Sequence, residues 1–328
     1  MSTGLSTRPK GQIHIFACGG GGINIGKEYH ADGHSGDIAD FKVTYIDTSD
    51  SNMEDRMMTN AWLFDDLDGS GKIRESNASE IAKVVPDILN KFTPGDLNVV
   101  VFTASGGTGS VAGPLIMRQL LQRNCLTMGI VIGSHENDKT CLNTYGSLKT
   151  LDKFAKDTGK PVVIQYNTNE PGTPRSTVDR EAHLMITALA MLASRRNHGL
   201  DTADLVSFFQ FNKSTPVPAC LARIHLFDDT EQFDKQMKDP ISAAYLKRDH
   251  DDPQPLAHVP YSCDGFMPDY AQTGNSLFFG IENASFNHVI SDMAQKVDDI
   301  EKRKKTRGGI ASFVNEQDNV DDVTGLIL

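Results

Sequence analysis

Nowhere does the chain run through the roughly 18 consecutive apolar residues that a helix needs to cross a bilayer, so no spanning segment is expected. Cysteine is sparse: Cys18, Cys125, Cys141, Cys220 and Cys263 stand far apart, with no Cys-x-x-Cys pair. That spacing suits a reducing cytoplasm and indicates neither a disulfide framework nor a zinc site. Cations are in deficit, 32 Lys and Arg against 43 Asp and Glu for a formal charge of −11, which argues against direct nucleic-acid binding. Residues 1–11 lack the apolar core of a secretory signal and are expected to form a disordered lead. No internal repeat or low-complexity tract appears. What remains is 328 residues, 39% hydrophobic and 23% charged, the composition of a soluble globular chain of about two domains.

The chain is organised around Val99-Val-Val-Phe-Thr-Ala-Ser-Gly-Gly-Thr-Gly-Ser110. Its valine-rich start reads as a strand buried on both faces, as in a parallel sheet. Small residues follow from Ala104 to Gly109, and the spacing of Leu115, Ile116, Leu120 and Leu121 predicts a helix. Strand, glycine turn and helix in that order build an anion cradle, because N–H groups at a helix start point at the ligand and glycine admits close approach. A tight turn with no ligand is the other reading of such glycines.

A second glycine run, Gly19-Gly-Gly-Gly-Ile-Asn-Ile-Gly26, follows an alternating strand at 12–18 and opens a helix around Lys27-Glu28-Tyr29. It is not a Walker A loop, since Glu28 stands where Ser or Thr must ligate magnesium. Nor is it the G-x-G-x-x-G fingerprint, because Asn24 and Ile25 occupy the positions where the third glycine would fall. A strand from Phe41 ends on Asp47-Thr48-Ser49-Asp50, where Asp47 suits either a ligand contact or an Asx-turn or N-cap. The segment Asp65-Asp-Leu-Asp-Gly-Ser-Gly-Lys72 lacks the acid spacing and closing glutamate of an EF-hand. A helix is predicted at 79–91, strands at 127–133 and 161–166, and a helix at 142–154 between them. Strand and helix alternate at roughly 30-residue spacing, which predicts a doubly wound, mostly parallel sheet with its ligand at the C-terminal strand ends.

A long helix is expected over 176–198, capped by Ser176 or Thr177 and closed by Arg195-Arg-Asn-His-Gly199. It is apolar nearly all round and so belongs between two layers. Beyond it, Asp201 and Asp204 can cap and open the next helix. Strands at 219–227, 255–260 and 275–282 with a helix at 239–246 predict a smaller second sheet, followed by a helix from residue 283.

Three of these segments resemble the tubulin/FtsZ superfamily. Ser105-Gly-Gly-Thr-Gly-Ser110 resembles its phosphate loop, GGGTGSG or GGGTGTG. Gly19 to Gly26 resembles its first loop, G-x-x-G-x-x-I-G, and Leu200 to Asp204 resembles the catalytic N-x-D-x-x-D loop. The resemblance covers about residues 12–206 and is greatest to the phage tubulins, the PhuZ/TubZ-like group. It implies a doubly wound GTPase domain at 12–175, joined by the central helix (176–198) to a smaller α/β domain (199–282). A C-terminal helix (283–307) and an acidic assembly tail (308–328) complete it. It further implies GTP or GDP with Mg2+, held by Gly20, Gly21, Gly22, Asn24, Asp47, Thr48, Gly71, Ser105, Gly106, Gly107, Thr108, Gly109, Ser110, Asn167 and Asp179. Three positions depart from the pattern: Asn24 stands for the tubulins' glutamine, Ile23 for the usual asparagine, and Gly199 for the catalytic loop's asparagine. On physics alone Asp179 is equally an acid complementing a helix start.

The implied function is a GTPase that polymerises head to tail in the cytoplasm of a phage-infected bacterium and positions phage DNA. Asp201 and Asp204 would act on the neighbouring subunit's nucleotide, and the tail would dock on that neighbour. Two other readings are open to these residues. A Rossmann-type oxidoreductase could use the Gly19–Gly22 turn, though it leaves the second cradle unexplained. A nucleotide-binding scaffold could assemble without turnover.

Overall fold

The structure is a computed structural model and describes residues 10–30, 38–64, 67, 71, 73–74, 77–267 and 275–306. Residues 1–9 of the expected 1–11 lead, most of the 65–72 loop and the 308–328 tail lie outside the described residues, whereas Gly11 of that lead is buried and ordered. Strand β1 (Gln12–Cys18) alternates as its sequence predicts. Ile13, Ile15 and Ala17 enter one core cluster, Phe16 and Cys18 the other. It pairs in parallel with β2 (Asp40–Asp47) and, on its other side, with β4 (Leu97–Thr103), so that Ile15 faces both Val43 and Val99. Short β3 (Ala61–Leu63) lies beyond β2. On the β4 side β5 (Thr127–Ser134), β6 (Val162–Asn169) and β7 (Leu221–Phe227) continue in parallel. Strand β10 (Leu277–Glu282) then runs antiparallel between β7 and β8 (Ser242–Lys247), and β9 (Tyr261–Phe266) lies parallel to β8.

Helices α1 (Gly19–Gly26), α5 (Arg175–Leu192) and α6 (Thr202–Phe209) bury their apolar residues in one cluster. Helices α2 (Ala78–Lys91), α3 (Thr108–Gln122), α4 (Asp138–Thr158) and α8 (Ala284–Thr306) share the other. A small third cluster gathers Phe233 of α7 (Thr230–Gln236) with Phe227, Tyr245 and Phe278. The α5 cluster reaches from Ile13 of β1 to Ile281 of β10, so one core lines this face of both halves of the sheet. Among the described residues all five cysteines are free, and no helix is long and apolar enough to cross a membrane.

Several elements differ from expectation. The strands predicted to form a second, smaller sheet are the far half of one ten-stranded sheet, continuous through the β6–β7 pairing. The 239–246 segment is not a helix but strand β8, whose six residues are all buried. A strand covered on both faces needs no polar alternation, so its Ala and Leu mimic a helical pattern. The 255–260 segment is loop, with the strand following at Tyr261, because its two prolines have no N–H for a ladder. Helix α1 begins at Gly19 itself rather than near Lys27, which starts a single 3-10 turn. Gly21 and Gly22 let α1 lie against β4: a Cβ on Gly21 would fall 2.3 Å from the Thr103 methyl and one on Gly22 2.2 Å from the Val101 carbonyl oxygen. Helix α5 starts at Arg175 with Pro174 as its N-cap and stops at Leu192, so neither Ser176 nor Thr177 caps it. Arg195 to Gly199 is loop, with Arg195 and Gly199 both at positive φ.

Candidate functional site

In the order β3-β2-β1-β4-β5-β6 the chain leaves β1 in one direction and β4 in the other. Such a switch point opens a crevice beyond the C-terminal strand ends. Both glycine segments start their helices there, α1 directly after β1 and α3 after β4. Neither helix has a side-chain N-cap or an acid in its first turn. Two adjacent helix starts therefore present backbone N–H groups and positive dipole ends to one place. Glycine is what lets them touch. A Cβ on Gly19, whose φ is +69°, would sit 2.8 Å from the Gly109 nitrogen, and one on Gly109 2.7 Å from the Cys18 carbonyl oxygen.

Around this double start the structure gathers Gly20, Gly21, Gly22, Asp47, Thr48 and the loop from Ser105 to Gly109. The Thr48 and Thr108 hydroxyls lie 2.7 Å apart, bridging β2 to the start of α3. Asp47 is 6% exposed and accepts from the Thr48 N–H at 2.8 Å. Burial raises its carboxyl pKa, while hydrogen bonds from Thr48, Thr108 and Asn52 oppose the rise. Ser110 is turned away from the crevice. It is fully buried, and its hydroxyl donates to the carbonyls of Gly106 at 2.7 Å and Gly107 at 2.9 Å, so it holds the loop from behind.

Further along the same edge, at the end of β6, the Asn167 Nδ2 is buried with no hydrogen-bond partner among the described residues. Gly71, at φ +53°, accepts from the Lys139 ammonium at 3.2 Å. Asn24 is exposed on α1, whereas Ile23 is fully buried in the core. Asp179 is half-buried in the second turn of α5, outside the first-turn position expected of a dipole-complementing acid. One turn on, the His183 Nδ1 lies 3.0 Å from the Tyr29 hydroxyl, which seats α5 against the exit of α1.

Asp201 and Asp204 are not in this crevice. Gly11, just before β1, donates to the Ser194 carbonyl at 2.9 Å. Arg195 pairs with Asp96, just before β4, at 2.6 Å. The loop between α5 and α6 is thus fastened to the N-terminal edge of the parallel strands, a full strand length from the crevice. There Asp201 caps α6, accepting from the N–H groups of Ala203 at 2.7 Å and Asp204 at 3.0 Å. Asp204 accepts in return from the Asp201 N–H at 3.0 Å, completing a capping box. The helix-cap reading of these acids is realised, with both side chains at the surface or partly so.

Sequence reading missed two supports of the crevice. Pro114 inside α3 has no N–H for the Ser110 carbonyl, and buried Arg74 donates there instead at 3.4 Å. A proline inside an apolar helix was the visible signal, but nothing local pointed to Arg74. From α4, Asn143 and Ser147 reach the back of the 104–107 loop.

A nucleoside phosphate fits this donor set: paired helix starts for phosphates, and an unpartnered buried amide at Asn167. Among the described residues no group of three His, Cys, Asp or Glu could hold a metal on its own. A magnesium ion held mainly by phosphates needs only one or two protein oxygens, a role open to the Asp47 carboxylate and the Thr108 hydroxyl, which share a hydrogen bond.

No family model matches the chain. It is 30% identical over 244 residues to a phage tubulin-like protein of Pseudomonas phage PhiPA3, a stretch covering 73% of this chain and 74% of that one. It superposes on a protofilament of TubZ from bacteriophage PhiKZ with a TM-score of 0.84 at 27% identity, covering 96% and 99% of the two chains. It also matches the fold of the phage tubulin PhuZ in its GDP form, with a TM-score of 0.82 at 21% identity over 96% and 99% of the chains. These relationships set aside the oxidoreductase reading. Its fold, its paired glycine cradles and this kinship together place the chain in the phage tubulin-like family.

Proposed function

We propose that this protein is a GTP-hydrolysing filament subunit whose active site is completed only when a second copy stacks on the first. The observation that carries this is the separation of the two half-sites. The crevice lies at one end of α5 and the acids at the other, and 18 helical residues span about 27 Å. Within one chain they cannot meet. Head-to-tail stacking brings Asp201 and Asp204 of one subunit over the nucleotide of the next.

Gly20 to Gly22, Ser105 to Gly109 and Thr48 then cradle the phosphates, Asn167 and Asn24 lie toward the sugar and base, and Asp179 accepts from the guanine edge. Bound magnesium, beside Asp47, would neutralise charge on the β- and γ-phosphates. The two acids orient and polarise a water. Its oxygen bonds to the γ-phosphorus as the bond to the β-phosphate oxygen breaks, giving GDP and phosphate, with the water's proton leaving on phosphate. Positioning and electrostatics carry most of such a transfer. Hydrolysis tied to assembly suits a dynamic filament that positions phage DNA in an infected bacterial cell.

Chromatography of nucleotide released from the purified, denatured protein tests the ligand. Guanine nucleotide is the expected result, with GTP binding at least about tenfold tighter than ATP and NAD not binding, since a carboxylate pairs with the guanine N1–H that adenine lacks. Equal GTP and ATP affinities would remove Asp179 from the base site. Bound GTP that never turns over in filaments would favour the scaffold reading instead.

The tail supports assembly in the same scheme. Glu316, Asp318, Asp321 and Asp322 precede an apolar Leu326-Ile-Leu328 end, a pattern suited to a cationic, grooved neighbour. Deleting residues 315–328 is expected to raise the critical concentration several-fold with monomer GTP affinity unchanged. Salt should partly mimic the deletion, because exposed charges are screened beyond ~8 Å near physiological ionic strength. Unchanged assembly of the truncated chain, followed by light scattering, would exclude the tail.

A further inference from the structure

The 104–107 loop has an unusual feature: all four of its successive carbonyl oxygens accept hydrogen bonds from side chains. The Ser147 hydroxyl donates to Ala104 at 2.9 Å. The Asn143 amide nitrogen donates to Ser105 at 3.1 Å and to Gly106 at 3.3 Å. The Ser110 hydroxyl donates to Gly106 and Gly107. A trans peptide unit is planar, with its C=O and the following N–H pointing opposite ways. Drawing the carbonyls of Ala104, Gly106 and Gly107 inward therefore turns the N–H groups of Ser105, Gly107 and Thr108 outward, toward the crevice. Without donors behind it, a glycine-rich loop is free to rotate these peptides and present oxygens to an anion.

We propose that Asn143 is the positioning residue of the phosphate loop: its amide, reaching across from α4, fixes two consecutive peptides before nucleotide arrives, holding the Gly106–Gly107 peptide with its N–H toward the crevice while the Gly106 N–H stays on the Thr103 carbonyl. The inference rests on the reading of the crevice as a guanine-nucleotide site. Asn143 is suited to this task because a carboxamide offers two N–H donors from one nitrogen, and two carbonyls lie within its reach. It sits on a well-anchored helix. A capping box of Asn137 and Thr140 fixes the start of α4, and the neighbouring Thr144 and Ser147 are fully buried. An aspartate there would face two carbonyl oxygens with acceptors only and add negative charge behind the phosphates.

The test is titration of fluorescent GDP and GTP into the full-length protein and its Asn143 variants. Asn143→Ala is expected to weaken both nucleotides about tenfold through the loss of two hydrogen bonds, and Asn143→Asp to weaken them further. Asn143→Gln, which keeps the amide, should recover part of the loss. In filaments of Asn143→Ala, KM for GTP should rise while kcat stays within about twofold of wild type, since the groups that meet the water are on another subunit. The melting temperature of the nucleotide-free protein separates positioning from folding and should change little. Wild-type affinity in Asn143→Ala would overturn the clamp while leaving the nucleotide site standing. A melting temperature that falls in step with affinity would also overturn it. A wild-type protein that binds no guanine nucleotide would overturn the functional reading and the clamp together.

Discussion

Replacing Asp201 by asparagine is expected to lower GTP turnover by ~100-fold while leaving the fold intact, the loss typical of a positioned acid or base. The structure is the reason to choose asparagine. Asp201 caps α6 through two N–H groups, so an alanine would remove the cap and the charge together. Asparagine caps a helix about as well as aspartate, whereas alanine costs about 1 kcal/mol. Asp201→Asn therefore isolates the charge, and Asp204→Asn should behave likewise. Asp229, which caps α7 by accepting from the Glu231 N–H at 3.0 Å, supplies the contrasting case. Asp229→Ala should lose stability and keep its turnover per assembled subunit. Phosphate release and urea unfolding on the same preparations read both quantities. Asp201→Asn filaments hydrolysing at the wild-type rate would reduce the acid to a helix cap. Below the critical concentration the wild type should also lose most of its turnover, because the half-sites then lie on separate molecules. Full turnover by monomers would end the split-site scheme.

Stability should fall steeply as pH drops from 6.5 toward 3, with His14 as a principal cause. This residue is fully buried in β1. Its Nδ1 lies 2.9 Å from the Thr93 carbonyl oxygen, which can only accept, so Nδ1 carries the proton. Its Nε2, 2.8 Å from the Thr44 hydroxyl, is then the acceptor. Both ring nitrogens are satisfied in the neutral form. Burial, with the nearby Lys42 charge, lowers the His14 pKa from 6.5 to about 3. Between those values the unfolded chain binds a proton that the native chain refuses, so stability rises with pH across that window and is fully present above it. The whole shift corresponds to a contribution on the order of 5 kcal/mol, of which about 2 kcal/mol is lost between pH 6.5 and 5. Urea unfolding at a series of pH values, followed by the single tryptophan, measures this. His14→Gln keeps a donor and an acceptor but cannot titrate, so its stability should change less over pH 5–6.5 even if lower throughout. Parallel pH profiles for the two proteins would acquit His14.

By itself the sequence determined the elements whose signals are local. The alternation of Gln12–Cys18, the valine run of β4, the two glycine segments and the acid pair at 201 and 204 were all legible, because each depends on side chains a few residues apart. The family resemblance rested on those same segments. Tertiary structure decided whatever depends on a distant partner. Strand β8 reads like a helix until β9 and β10 supply its ladder and both its faces are covered. The far strands merge with the near ones only because Val162–Ile164 finds Leu221–Arg223 across a gap of more than fifty residues. The crevice needs Gly19 against Gly109, and its back wall needs Asn143 and Arg74, none of which any periodicity relates. The opposition of crevice and acids at the two ends of α5 was implied by the resemblance alone, since a helix spacing gives a length but not which strand edge each end will meet. Local propensity is read from neighbours in sequence. Hydrogen-bond partners and burial are assigned by neighbours in space, and for this protein the function depends on the second.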